Sequence, residues 1–311
     1  MNESIVQTAG PTDAEHSQQI VDQLIEERAH KLRQRSWLWP LVKRLFYPVL
    51  GYQRAISVIG ALQPLRGQAV LDWLSRELQM QVEVEGLEHV PEDGHLVIVA
   101  NHPAGIADGI AVWDALKQRR EDISFFANRD AIRAVKGLED VIIPVEWVQT
   151  RRTHERSREM VRQTLKAFRS NRLIVIFPSG RLAQPTIGGL KEREWMTTAV
   201  SLAQKYNSPI VPMHIRGRNS LLYYLLYFLN EELRDMTLFR ELLNKRFQKY
   251  TIRLGRPFLA TGESRDVTTA LQRFVAEDMA RGATHFNHPD HAREPLPDPV
   301  APELGRVANG E

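Results

Sequence analysis

Short apolar segments alternate with helical stretches over most of this chain, and this alternation restricts the fold more than any other feature. Strand-like segments are predicted at 80–84, 96–100, 123–127, 141–145, 173–177, 210–215 and 250–254. Helices are predicted at 68–78, 106–119, 154–170, 191–206, 220–247 and 266–281. Strands that alternate with helices form a mostly parallel sheet with helices on both faces. The predicted fold class is therefore α/β, with a mostly parallel (mixed) central sheet and a ligand site at the carboxyl ends of its strands.

The chain divides into three predicted regions. Residues 1–78 form a leader followed by an amphipathic and aromatic helical segment, and residues 79–284 form the α/β domain. Residues 285–311 contain the proline-rich run Pro295-Leu296-Pro297-Asp298-Pro299, which predicts a disordered tail. Histidines at the start of this tail could bind a metal ion, but a polar tail is the favoured interpretation, and no metal site is predicted.

The N-terminal region contains the aromatic segment 37–52, in which two tryptophans and two tyrosines accompany Lys43 and Arg44. Aromatic and basic residues in this mixture are typical of segments that lie in lipid headgroups. The alternative is a helical hairpin that packs on the main domain. The sequence favours neither interpretation, and both could hold together.

Composition excludes several classes of function. The chain has no cysteine, which rules out disulfides, thiolate metal sites and a cysteine nucleophile. Its 41 basic and 38 acidic residues leave a net charge of +3, so a nucleic-acid partner is not expected. The first 30 residues lack the apolar core of a signal peptide, and no apolar run is long enough to span a bilayer. We therefore expect a soluble or peripheral membrane protein.

The strand Leu96–Ala100 ends at a corner that carries Asn101, His102, Pro103 and Gly105. Proline and glycine stop the strand, and the apolar spacing that follows places Asp108 in the first turn of a helix. A histidine held at a strand end with a carboxylate against its far ring nitrogen is the arrangement of a general base. The alternative is a structural histidine beside a helix-start aspartate, and spacing alone favours this alternative.

Two further strands end at similar corners. The segment 174–181 places Ser179, Gly180 and Arg181 after an apolar run, and the segment 209–220 does the same for Arg216, Arg218 and Asn219. Glycine allows backbone amides to approach an anion, and arginine binds carboxylate or phosphate with two parallel hydrogen bonds. Each corner alone could be an ordinary turn, but three in one domain favour a shared site for an anionic substrate.

These three corners, taken in order, resemble the sequence blocks of the glycerolipid acyltransferase superfamily, which includes lysophosphatidic-acid acyltransferases. The resemblance covers residues 80–258 and is nearest the branch of putative hemolysins and ornithine-lipid acyltransferases. Two positions depart from the wider pattern. Five residues separate His102 from Asp108 where the superfamily has four, and Ser179 stands where it has glutamate, with Arg181 one place early.

The resemblance implies a transferase of lipid metabolism that moves a fatty acyl group from a thioester to a hydroxyl or amine of a lipid precursor, as in phospholipid biosynthesis. His102 would be the general base and Asp108 would orient it, while backbone amides at 101–105 or near Gly180 would stabilise the oxyanion. No cofactor is expected; acyl-CoA or an acyl carrier protein would be the co-substrate. A non-catalytic lipid-binding protein and a lipid hydrolase are the alternatives. The expected substrate-binding residues are Asn101, Gly105, Ser179, Gly180, Arg181, Arg216, Arg218 and Asn219.

Two other segments keep open interpretations. The arginine-rich run 149–158 could dock a carrier protein or the phosphates of coenzyme A, or it could be a solvated helix face. The apolar run 221–229 could line an acyl-chain channel, touch a membrane or pack in the core. The expected location is the inner, cytoplasmic face of a membrane, where the protein would be peripherally bound to the lipid surface.

Overall fold

The computed structural model of the protein describes residues 11–146 and 153–287. Thirteen helices occur in these residues: α1 Pro11–Arg28, α2 His30–Gln34, α3 Trp39–Val49, α4 Tyr52–Leu62, α5 Gln68–Leu78, α6 Ile106–Leu116, α7 Asp130–Ala134, α8 His154–Arg169, α9 Thr198–Lys205, α10 Leu221–Leu229, α11 Glu231–Met236, α12 Leu238–Leu243 and α13 Ser264–Arg273. The strands of the same ranges are β1 Gln81–Glu85, β2 Leu96–Ala100, β3 Ile123–Asn128, β4 Ile142–Val145, β5 Leu173–Ile176, β6 Gln184–Thr186, β7 Gly189–Lys191, β8 Ile210–Arg216 and β9 Lys249–Leu254.

Seven strands form one sheet in the order β1-β9-β8-β2-β5-β3-β4, and β6 and β7 form a separate hairpin. The β8–β9 pair is antiparallel, and every other neighbouring pair of the large sheet is parallel. This confirms the predicted α/β fold with a mostly parallel, mixed sheet. The central strands β2 and β5 are buried along their whole length, as their unbroken apolar runs predict for strands covered on both faces.

The sheet separates two hydrophobic layers. Alternate residues of β2 point to opposite sides, so Ile98 contributes to one cluster and Val97 and Val99 to the other. The first layer includes α1, α4, α5 and α6, and the second includes α9 and α13. The N-terminal helices therefore belong to the same folded unit as the sheet.

The aromatic segment forms α3 and the first residue of α4, and the two helices pack beside α1. Tyr52 Oη donates to Asp22 of α1 at 2.8 Å, and the Tyr47 ring stacks on Tyr52 at 4.4 Å between centroids. Lys43 pairs with Glu26 of α1 at 3.1 Å. Part of the segment thus packs on the domain as a helical hairpin, while Trp37 stays 76% exposed.

Three predicted helices are shorter than their apolar spacing suggests. Residues 184–191 form the β6–β7 hairpin, so the helix predicted at 191–206 begins only at Thr198. The helix predicted at 220–247 is divided into α10, α11 and α12, because the Asn230 side chain accepts the Leu233 amide and starts a new helix. The helix predicted at 266–281 is α-helical only to Arg273 and then continues as π and 3₁₀ turns.

Some predictions fall on residues outside the described ranges. These are the leader before residue 11, the first part of the arginine-rich run at 149–152, and the tail from residue 288. The tail's predicted start lies within the described part, where Phe286 is buried against Phe258 and Phe274. Within residues 11–146 and 153–287, no helix has both the length and the apolarity needed to cross a membrane.

Candidate active site

The three corners lie at one edge of the sheet. Strand β2 lies between β8 and β5 and runs parallel to both. The carboxyl ends of all three strands therefore emerge side by side, which brings the corner after each strand to the same place. Sequence order alone separates these corners by about 35 to 80 residues, and the strand order brings them together.

His102 follows β2, and its ring lies between a carboxylate and an aromatic ring. Its Nδ1 is 3.0 Å from Asp108 Oδ2, although the angle at the ring nitrogen is not that of a hydrogen bond. The ring stacks on Phe177 with centroids 4.3 Å apart. Contact of Nδ1 with a carboxylate leaves Nε2 as the nitrogen that can accept a proton from a substrate.

Asp108 is fully buried in the first turn of α6. Its Oδ2 accepts the backbone N–H groups of Ala104 at 2.8 Å and Gly105 at 3.0 Å. Gly105 has φ +88°, a conformation that favours glycine, and this turn accommodates the additional residue between His102 and Asp108.

The backbone amides at this corner are already occupied. The N–H of His102 donates to Glu192 Oε1 at 3.0 Å, and those of Ala104 and Gly105 donate to Asp108. Residue 103 is proline and has no N–H, and the Gly180 N–H donates to Phe177 O at 3.0 Å. These amides are engaged within the protein, and stabilisation of an oxyanion by other amides of the 101–105 corner or near Gly180 stays a prediction.

An apolar cavity of about 350 Å³ opens beside His102. It is lined at the site by Gly105, Gly109, Phe177 and Gly180, and it extends between α6 and the N-terminal helices to residues of α1 and α4. A long, mostly apolar cavity of this kind binds a hydrocarbon chain better than a polar substrate. The N-terminal helices thus form one wall of the candidate binding site.

Three predicted binding residues shape the loops of the site through local contacts. Asn101 is buried and exchanges two hydrogen bonds with the backbone of Ile215, at 2.9 and 2.7 Å, which ties the end of β2 to β8. Ser179 is buried and donates to Arg181 O at 2.7 Å. Gly180, at φ +58°, completes the turn and lines the cavity.

The three predicted arginines are exposed. Arg181 lines a polar groove beside Glu192, while Arg216 and Arg218 follow β8. The groove has both signs of charge; its lining residues are Ser179, Arg181, Gln184, Lys191, Glu192, Arg193, Glu194 and Gln272.

Asn219 belongs to a buried polar cluster. Lys245 Nζ donates to Asn219 Oδ1 at 3.0 Å and pairs with Glu241 at 3.3 Å, and both charged side chains are almost completely buried. Burial lowers the pKa of Lys245. Burial would raise the pKa of Glu241, but hydrogen bonds from Ser220 and the charge of Lys245 outweigh it and the pKa is lowered. This network fastens the segment after β8 to α12.

Sequence reasoning missed Glu192, which bonds the backbone of His102. It lies in the run Lys191-Glu192-Arg193-Glu194, which has the composition of a solvated charged stretch. Burial raises the pKa of Glu192, while hydrogen bonds from His102 and Trp195 oppose that shift. No local pattern distinguishes the buried member of such a run.

The two segments with open interpretations are partly resolved by their exposure. In α10, Tyr223 and Leu226 are buried, while four apolar side chains face outward and none lines the cavity. In the described part of the arginine-rich run, Arg156 pairs with Glu146 at 2.8 Å and Arg158 is exposed. The exposed apolar side chains of α10 are Leu221, Leu225, Phe228 and Leu229.

Comparison with known proteins finds similarity to lipid acyltransferases. The chain is 30% identical over 187 residues to a lyso-glycine lipid O-acyltransferase of Phocaeicola vulgatus and 25% identical over 186 residues to one of Bacteroides thetaiotaomicron. Each alignment covers 58% of this chain, and the matches span 65% and 66% of the two relatives, slightly less than two thirds of their length.

The crystal structure of the 1-acyl-sn-glycerophosphate acyltransferase PlsC from Thermotoga maritima aligns with 87% of this chain and 100% of that chain, with a TM-score of 0.46 and 15% sequence identity. The Acyltransferase family model matches residues 81–216. That range begins at β1, ends at the last residue of β8 and contains His102, Asp108 and the Ser179 corner. Residues 81–216 of this chain are therefore similar to the Acyltransferase family.

Proposed function

We propose that this protein transfers a fatty acyl group from an acyl thioester to the hydroxyl group of a lyso-lipid that has an anionic headgroup. The observation that supports the proposal most directly is the His102–Asp108 pair at the mouth of an apolar cavity. The two curated relatives are named for O-acylation of a lyso-glycine lipid, which favours a hydroxyl acceptor. Ser179, which replaces the glutamate of the wider pattern, agrees with the ornithine-lipid-like branch over phosphate-ester acceptors.

The proposed reaction needs one base and no covalent enzyme intermediate. Nε2 of His102 takes the proton of the acceptor hydroxyl as its oxygen attacks the thioester carbon. The carbon–sulfur bond then breaks, and the proton on the imidazolium passes to the leaving thiolate. Asp108, 3.0 Å from Nδ1, stabilises the imidazolium that exists between these steps. The acyl chain of one substrate occupies the apolar cavity, and Arg181 faces the polar groove, where an anionic headgroup would bind.

The test is thiol release from an acyl thioester in the presence of a lyso-glycine lipid. His102→Ala should lower the rate by on the order of 10²–10⁴-fold, because it removes the general base. His154→Ala is the matched control, since His154 is an exposed histidine at the start of α8. Equal thiol release by both variants would overturn the proposal. Free fatty acid without acylated product would identify a hydrolase, and lipid binding without any thiol release would identify a binding protein.

We propose also that the protein binds a membrane surface through exposed apolar side chains of α3 and α10. Along α3 and the residues before it, Trp37, Leu41, Leu45 and Val49 recur every four residues and all are at least 45% exposed. The two helices approach each other at Arg240, which donates to Val49 O at 2.9 Å and to Ser220 Oγ at 3.3 Å. Together they form a broad apolar surface, and surfaces of this kind mark lipid or protein contacts.

Membrane binding is measured by co-sedimentation with vesicles of phosphatidylethanolamine and phosphatidylglycerol. The double variant Leu41→Glu/Leu45→Glu should lower the partition coefficient at least about tenfold, since two apolar side chains no longer leave water. Val161→Glu is the control, because Val161 of α8 is 49% exposed, nearly as much as Leu41 at 48%. An unchanged pellet fraction in the double variant would overturn this surface as the contact. The location on the inner, cytoplasmic face stays a prediction.

A further inference from the structure

Glu192 contacts the main chain of His102, whereas Asp108 contacts its ring. Its Oε1 accepts the His102 N–H at 3.0 Å, and its Oε2 accepts the indole N–H of Trp195 at 3.1 Å. The carbonyl of His102 is bound as well, because it accepts the Ala183 N–H at 2.9 Å. Both backbone groups of His102 are therefore held by the segment that follows β5.

The segment around Glu192 is itself fastened to the second helical layer. Gln272 of α13 accepts the Trp195 N–H at 3.1 Å and donates to Arg193 O at 2.9 Å. Trp195 is 5% exposed and belongs to the core cluster that contains α13. The position of the Glu192 carboxylate is thus set by packing on α13.

The burial of the Glu192 carboxylate lowers the stability of the folded state. The residue is 9% exposed, and among the described residues no lysine or arginine nitrogen forms an ion pair with its carboxylate. Removal of a carboxylate from water without a cation partner is unfavourable, and two N–H donors compensate only part of it. A glutamine could accept only one of these two hydrogen bonds, because its amide has a single acceptor oxygen, so the two N–H donors call for a carboxylate here.

We propose that Glu192 is a positioning residue whose carboxylate fixes the backbone of His102 and places a second negative charge beside the general base. The inference rests on the proposed function, since it assigns His102 the role of base. Glu192 contacts the main chain of His102, so it does not exchange protons with substrate. With the His102 N–H engaged, the ring remains stacked on Phe177 at the cavity mouth.

Several charged groups surround this carboxylate and contribute to its effect on His102. Asp108 on α6 is the other negative charge beside the ring, and it would hold the imidazolium together with Glu192. The remaining titratable or charged groups of the adjoining groove are Arg181, Lys191, Arg193 and Glu194, and Arg193 in turn lies 3.5 Å from Tyr227 Oη of α10.

Two variants distinguish the effect of the Glu192 charge from the effect of its side-chain length. Glu192→Gln keeps the length of the side chain but removes the charge and one of the two acceptor oxygens, so the acidic limb of the kcat/KM–pH profile should move to lower pH. Glu192→Asp keeps the charge and shortens the side chain, which displaces the base. Its kcat should therefore fall about 10–100-fold, while the acidic limb of its pH profile should stay at the wild-type pH. The KM for the acyl thioester should stay within about twofold in both, since neither touches the apolar cavity. Glu194→Gln is the matched control, as Glu194 is an exposed carboxylate of the same groove.

A second measurement does not depend on activity. The ring ¹⁵N signals of His102, assigned by their loss in His102→Gln, should titrate at lower pH in Glu192→Gln than in the wild type and Glu194→Gln. That shift in a protein without acyltransferase activity would refute the proposed function and leave the positioning role intact. The inference is overturned if the wild type is active and both Glu192 variants match Glu194→Gln in kcat, in pH profile and in the titration of His102. If Glu192→Gln does not fold, the fall in kcat of Glu192→Asp alone decides.

Discussion

Gly109 offers a direct test of the cavity as the site of the acyl chain. It lies in α6 next to Asp108 and lines the cavity, and a Cβ placed on it would meet no atom within 4 Å. Gly109→Leu should therefore direct its side chain into the cavity without a clash. The same change should raise helix stability by about 0.5–1 kcal/mol, because glycine is the less favourable residue inside a helix.

The expected loss follows from the apolar volume that the leucine occupies. Its four side-chain carbons displace about four methylene groups of the substrate, and each buried methylene contributes about 0.8 kcal/mol. Exclusion of four methylenes costs about 3 kcal/mol, which lowers kcat/KM for long-chain donors on the order of 10²-fold. Short-chain donors, which do not reach the blocked part, should lose little.

The assay compares kcat/KM for acyl thioesters of four to eighteen carbons in the wild type, Gly109→Ala and Gly109→Leu, with thermal unfolding measured on the same preparations. The alanine variant adds one carbon and should show a small part of the effect. An equal loss for every chain length, or no loss for long chains in a stably folded Gly109→Leu protein, would refute the assignment of this cavity to the acyl chain.

Two further predictions concern stability. The wild type should lose stability relative to Glu192→Gln as pH rises from about 4.5 through the raised pKa of Glu192, because the folded wild type keeps this proton to higher pH than the unfolded chain does. Urea unfolding of both proteins between pH 4 and 8 measures this difference. A wild type that gains stability relative to Glu192→Gln as pH rises would contradict the burial argument. Arg120→Met should cost roughly 3 kcal/mol, since its buried guanidinium binds Asp122 at 2.8 and 2.5 Å and the carbonyls of Gly94 and Asn171. Arg66→Met, which removes an exposed pair with Glu139, should cost less than about 1 kcal/mol in the same urea titration, and equal costs for the two variants would show that burial is not the cause.

Local patterns in the chain predicted the strands and most helices, because apolar periodicity reflects which faces an element buries. They also predicted that Asp108 starts a helix and that His102 ends a strand, since proline, glycine and apolar spacing act over a few residues. The same patterns overestimated the helices at 191–206 and 220–247, where contacts with the rest of the fold and an internal asparagine cap decide the boundaries.

The sequence by itself predicted the class of sheet, the corner residues and the placement of His102 and Asp108 at a strand end and a helix start, because these follow from patterns within short segments. Only the tertiary structure decided which polar groups are free to act. The amides near His102 are consumed by Asp108 and Glu192, Asn101 is tied to β8, and the cavity wall comes from α1 and α4, far from the site in sequence. These outcomes depend on which strands become neighbours and which side chains lose water, and both are properties of the assembled sheet and its two helical layers.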